Sequence, residues 1–228
     1  MGSPASLDAG THEHRPGAAR KGRLLVVGVS VAVVALVFVV LTRPSSQTVP
    51  VVGDSITFFA GRDISAALGD TYHADVHAGI GKRIDQMLPA VQGVMRDHPF
   101  AVVVDLGTND ALQARTHPDW RTAFRQMIAA LSPAQCVMLT TINTLIDGRS
   151  GTPVASEINR AIAAAASTHA NFHVVDWNAA VHGVNGVDLL LADQIHPSPA
   201  GQLTLAALIH AAVDHDCAHP RPKATKTH

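Results

Sequence analysis

Ser55, Asn109, Asp193 and His196 are side chains whose types could together carry out acyl transfer. A serine hydroxyl is a weak nucleophile until a base removes its proton. His196 can be that base through one ring nitrogen. Asp193, three residues earlier, can accept a hydrogen bond from the other nitrogen, fix the tautomer and stabilise the imidazolium. The tetrahedral oxyanion then needs donors aimed at it. The backbone N–H of Ser55, a bare glycine N–H from Ala78-Gly79-Ile80-Gly81-Lys82 and the Asn109 amide could supply them. Each residue also has a plainer role by itself: Ser55 as a helix cap, Asn109 in a turn, His196 in a loop before Pro197. Asp54, Thr108 and Asp110 are read as structural, the two carboxylates bonding nearby backbone N–H groups. Lys82 and Arg83 are read as a solvated basic pair.

Those residues work together only if separate elements deliver them to one place. Short apolar runs at Thr48–Val52, Tyr72–His77, Phe100–Leu106, Cys136–Ile142 and Phe172–Asp176 read as five strands. Apolar stripes at helical spacing fall between them: Ile84, Met87, Leu88, Val91 and Met95; Trp120, Phe124, Met127, Ile128 and Leu131; Val154, Ile158, Ala161, Ile162 and Ala165. Ser198-Pro199 opens a last helix that runs to about Val213. Strands alternating with helices predict a parallel sheet covered on both faces, with function gathered at the C-terminal ends of the strands. Gly53-Asp54-Ser55, the glycine stretch and Gly107-Thr108-Asn109-Asp110 leave strands one, two and three. Asp193-Gln194-Ile195-His196-Pro197 follows strand five, just before the last helix.

Over roughly residues 48–216 the chain resembles the SGNH (GDSL-type) hydrolases. Gly53-Asp54-Ser55-Ile56-Thr57 is similar to that family's first block, which carries the nucleophilic serine. Gly107-Thr108-Asn109-Asp110 is similar to the block that supplies an asparagine. Asp193-x-x-His196-Pro197, followed by Ser198, Pro199 and Gly201, is similar to the last block. In the glycine block Gly81 is the preferred oxyanion donor and Gly79 the alternative. The resemblance implies a three-layer α/β/α domain with a five-stranded, flavodoxin-like parallel sheet. It also implies a serine esterase acting through a Ser55 acyl-enzyme, with Asp193 and His196 completing the triad and Ser55, Gly81 and Asn109 forming the oxyanion hole. O-acyl transfer onto an envelope glycan or lipid would use the same acyl-enzyme, and a non-catalytic binding module on this fold is a third reading. No G-x-S-x-G elbow is present, which argues against an ordinary α/β-hydrolase.

Other chemistries find little support. His73 and His77 share a strand face but lack a third ligand from another element, so no metal is expected. No phosphate-binding or dinucleotide fingerprint occurs, and no cofactor is expected. Lys+Arg 17 against Asp+Glu 18 does not suit a nucleic-acid binder, and 47% hydrophobic residues exclude a disordered chain. Trp177, after Asp176, belongs to the core or to a pocket wall. Ala111–His117 and Asn143–Thr152 read as short polar loops beside an open cleft, so the natural ester is not readable.

Leu24–Leu41 carries no charge and would span roughly 27 Å as a helix. Arg20, Lys21 and Arg23 precede it and only Arg43 follows closely, which predicts an uncleaved signal anchor with a cytoplasmic N-terminus. A cleaved signal peptide is the alternative, disfavoured by the length of the run and the lack of an A-x-A site. The expected organisation is a basic cytoplasmic tail at 1–23, a membrane span at 24–41, a linker at 42–47, an extracytoplasmic hydrolase domain at 48–217 and a disordered basic tail at 218–228. The expected partners are the membrane and an ester substrate; oligomeric state is not readable. Cys136 opens strand four and Cys217 ends the last helix, both at the bottom of the sheet, so the geometry allows a disulfide there.

Overall fold

The computed structural model describes residues 47–218, apart from Asp70 and Asn185. Five strands form one parallel sheet: β1 (Gln47–Gly53), β2 (Tyr72–Ala78), β3 (Val102–Asp105), β4 (Val137–Thr140) and β5 (Phe172–Val175), in the order β2-β1-β3-β4-β5. β3 and β4 are buried along their whole length, which is why they read as unbroken apolar runs rather than alternating ones. β2 lies at an edge, and His73 and Asp75 keep its exposed positions polar, a pattern that discourages pairing with another chain.

Among the described residues eight α-helices cover the sheet: α1 (Ser55–Leu68), α2 (Ile84–Val94), α3 (Thr108–Leu112), α4 (Trp120–Leu131), α5 (Leu145–Ser150), α6 (Val154–Thr168), α7 (Trp177–His182) and α8 (Pro199–Ala212). The stripes on α2, α4 and α6 close one core against one face. α1, α7 and α8 close a second core against the other face, and Trp177 belongs to it at 2% exposure. The domain is therefore the three-layer α/β/α arrangement expected.

Three short helices depart from the expectation. α3 and α5 occupy part of the stretches read as polar loops, and α7 follows β5 directly. Each has five or six residues, too few to show a hydrophobic period. β3 and β4 are also shorter than their apolar runs, because Phe100, Ala101, Leu106, Cys136 and Ile142 are apolar without pairing as strand.

Cys136, just before β4, is bonded to Cys217 at the end of the Val213–Cys217 turn that prolongs α8. Their Cα atoms lie 5.5 Å apart across 81 residues of chain. Among the described residues no helix is long and apolar enough to cross a membrane. The span expected at 24–41, the basic tail before it and nearly all of the linker and C-terminal tail lie outside the described residues.

Candidate active site

The site is assembled at one edge because the strands end level. Gly53 is in register with Ala78 on one side and Asp105 on the other, so β1, β2 and β3 release their loops side by side. Asp54 turns the chain from β1 into α1. Its N–H donates to the Asp105 carbonyl (3.2 Å), and its Oδ1 accepts from the Ile56 N–H (2.9 Å) as the helix cap. Ser55 is thus the first residue of a fourteen-residue helix, where the partial positive charge of the helix end favours an anion. Gly53 permits the tight turn: a Cβ there would lie 2.0 Å from Thr57 Oγ1.

Across the crevice, Leu190 bridges to Pro197 and the Leu191 N–H donates to the His196 carbonyl (2.8 Å), folding residues 190–197 into a compact loop. His196 Nε2 lies 3.0 Å from Ser55 Oγ, and its Nδ1 lies 2.6 Å from Asp193 Oδ2. Asp193 Oδ1 accepts from the N–H groups of Ile195 (2.9 Å) and His196 (3.0 Å). Partial burial alone would raise the Asp193 pKa; the hydrogen bonds from the imidazole and the two N–H groups outweigh it and hold the carboxyl below its ordinary range. Phe59, one turn along α1 from Ser55, meets the His196 ring edge to face with centroids 5.3 Å apart. Ser198 caps α8 by accepting from the Gly201 N–H (3.1 Å), which fixes the loop to the helix behind it.

The candidate oxyanion donors come from the loops that follow β1, β2 and β3. The Gly79 N–H donates to the Gly53 carbonyl (3.2 Å), so that donor is already engaged. Gly81 has φ +73°, a conformation suited to glycine, and its N–H makes no hydrogen bond within the described residues. Of the two, Gly81 therefore has the unengaged N–H. Gln113 Nε2 donates to the Gly81 carbonyl (3.3 Å) while its Oε1 accepts from Arg83 (2.9 Å), which steadies the glycine loop. Asn109 Nδ2 reaches Asp54 Oδ2 at 3.3 Å, leaving its second amide proton for another acceptor.

Below these donors lie three buried carboxyls. Asp54 is capped as described, Asp105 accepts from Thr57 Oγ1 (2.8 Å), and Asp110 accepts from the Ile84 N–H (3.0 Å). Burial raises all three pKa values. The Asp105 and Asp110 values rise to about 6, and the Asp54 value rises well above the usual carboxylate range, with the neighbouring Asp105 charge adding to its burial.

One sequence reading needs extending and another correcting. Asp110 accepts not only from its own backbone N–H but also from the first turn of α2, 26 residues away. Arg83 is not solvated: its side chain is 13% exposed and is spent on Asp85 and Gln113. Thr57, Phe59, Asp105, Gln113, Asn143 and Arg149 were not singled out by sequence. Asp105 left a signal, an acid closing an uninterrupted valine run, but a lone polar residue in a loop, such as Asn143, leaves none. Among the described residues no cluster of three or more His, Cys, Asp or Glu side chains could hold a metal.

The fold has counterparts among solved structures. The C-terminal catalytic domain of the Streptococcus pneumoniae peptidoglycan O-acetyltransferase A superposes with a TM-score of 0.63 at 16% identity, covering 75% of this chain and 94% of that one. A member of the lipolytic G-D-S-L family from Veillonella parvula gives 0.60 at 20% identity, covering 75% and 98%. The psychrotrophic esterase EstA from Pseudoalteromonas gives 0.55 at 16% identity, covering 74% and 97%. At these identities the likeness is one of fold. No curated protein matches the chain. A family model does, over residues 51–203, from β1 through the crevice into α8, and the chain belongs to the GDSL-like lipase/acylhydrolase family.

Proposed function

We propose that this chain is a serine esterase that hydrolyses carboxylic O-acyl esters. The observation that carries the reading is the unbroken line of hydrogen bonds from Asp193 through His196 to Ser55, 2.6 and 3.0 Å, beside the unengaged Gly81 N–H. His196 Nε2 takes the Ser55 proton as Oγ attacks the ester carbonyl. The N–H groups of Ser55 and Gly81 and the Asn109 amide hold the oxyanion. The imidazolium returns the proton to the departing alcohol oxygen, and water repeats the sequence on the acyl-enzyme. Ser55→Ala is expected to lower turnover of a short activated ester by on the order of 10^4- to 10^6-fold. Wild-type turnover in that variant defeats the reading.

The setting belongs to the same proposal. The apolar run 24–41 with its basic flank supports a single-pass anchor with the enzyme outside the cytoplasm, and the disulfide is of a kind that persists there. A second reading, O-acyl transfer to an envelope glycan or lipid, is favoured by the likeness to a domain named as a peptidoglycan O-acetyltransferase. Product analysis with a glycan oligomer present separates the two: acylated glycan supports transfer, free acid alone supports hydrolysis.

A further inference from the structure

We propose that Asn143 is a positioning residue for His196 and acts through the peptide of Gln194; the inference rests on the esterase reading above. Gln194 has φ 55°, the left-handed region that a residue with a Cβ enters only at a cost. His98, the other described non-glycine residue there, follows a helical turn, where such a conformation is common. Gln194 ends no helix. It lies between Asp193 and the groups that Asp193 holds: one carboxylate oxygen bonds the N–H groups of residues 195 and 196, and the other bonds the imidazole of residue 196. The chain doubles back immediately after Asp193, and Gln194 makes that reversal while the carboxylate meets all three groups.

Three bonds hold the reversal. The Gln194 N–H donates to the Leu191 carbonyl (2.8 Å) inside the loop. Arg149 donates to the Asp193 carbonyl from an exposed, long side chain. Asn143, a residue 4% exposed and 51 residues away, donates from Nδ2 to the Gln194 carbonyl (2.9 Å). Asn143 is the rigid member of the set. Its Oδ1 accepts from the Leu145 N–H (3.0 Å), so the amide cannot flip without losing both bonds. The residue before it is fixed in turn: the Ile142 N–H and carbonyl are both bonded to the Asn159 amide of α6 at 2.7 Å. Asn143 therefore carries the stiffness of β4 and α6 into the loop that presents the base.

The test compares Asn143→Ala, Asn143→Asp and the double variant Asn143→Ala/Gln194→Gly in the full-length chain. The aspartate keeps the acceptor for Leu145 and removes the donor to Gln194. Both single variants are expected to lose about tenfold to a hundredfold in kcat with KM changed by less than about twofold, because the base is misplaced rather than removed. The low-field proton resonance of the His196–Asp193 hydrogen bond should broaden or move upfield. Glycine at 194 adopts the left-handed conformation without penalty, so the double variant should recover most of the lost kcat. The inference is overturned if activity falls only in step with melting temperature, if the resonance is unchanged in Asn143→Ala, or if glycine at 194 restores nothing. The resonance reads positioning without any reaction. Failure of wild-type Ser55 to react with a fluorophosphonate would instead overturn the esterase reading.

Discussion

Asn109 spends one amide proton on Asp54 and keeps the other for another acceptor, and this division of labour makes its removal informative. Asn109→Ala should lower kcat by about 10^2- to 10^3-fold with little change in KM, since the missing donor matters most when the oxyanion exists. A loss confined to KM would move Asn109 out of the oxyanion hole. Asp105 makes a different prediction. Its folded pKa is about 6 against an ordinary 3.8, so between those values the folded protein holds a proton that the unfolded chain has released. Stability should therefore fall as pH rises from about 4 to 6, with Asp110 acting in the same direction. Asp193, whose pKa is lowered, acts in the opposite sense and loses its contribution as pH falls. Urea midpoints from pH 4 to 7 should decline less in Asp105→Asn than in the wild type; parallel curves would contradict the assignment. At this scale the candidate residues were readable where a polar side chain follows an apolar strand run, as with Ser55 and Asn109, or sits in a recognisable motif, as with Asp193-x-x-His196. They were unreadable where the meaning of a polar residue lies in a distant partner. Asp105 needs Thr57, and Asn143 needs Gln194; neither spacing marks a recognisable pattern.

Elements were readable in proportion to their length. α2, α4 and α6 announce themselves by stripes that the structure buries, whereas α3, α5 and α7 carry no period and are held by tertiary bonds, such as Asn178 of α7 accepting from the Thr144 N–H (2.9 Å). Strand identity was clear in all five cases, but strand ends were not, because apolar residues continue past the pairing. The junction of α8 with the loop before it shows how closely elements meet. A Cβ on Gly201 would lie 1.9 Å from the Leu189 carbonyl oxygen, so Gly201→Ala must displace the first turn of α8 or the loop that carries His196. A cost of about 1–3 kcal/mol is expected in chemical denaturation, together with reduced turnover of an activated ester if the proposed function holds. An alanine variant as stable as the wild type would show that the junction yields freely.

At the level of the whole molecule, the disulfide sits at the bottom of the sheet and the reactive crevice at the top. Cys136→Ser should cost about 2–5 kcal/mol of unfolding free energy by freeing the chain between residues 136 and 217. Comparing oxidised wild type with the variant by urea denaturation checks this, and equal midpoints would refute it. The fold class was evident from alternation alone, whereas the partners of β1 on either side had to be seen in space. One further consequence comes from the distance along the chain between the groups that react. Ser55 and His196 are 141 residues apart, and the cysteine that fastens α8 comes later still. On the proposed reading, a ribosome makes the nucleophile long before the group that arms it. The proposed function then implies that the serine stays inert toward esters while the chain emerges, and gains reactivity only once α8 has docked.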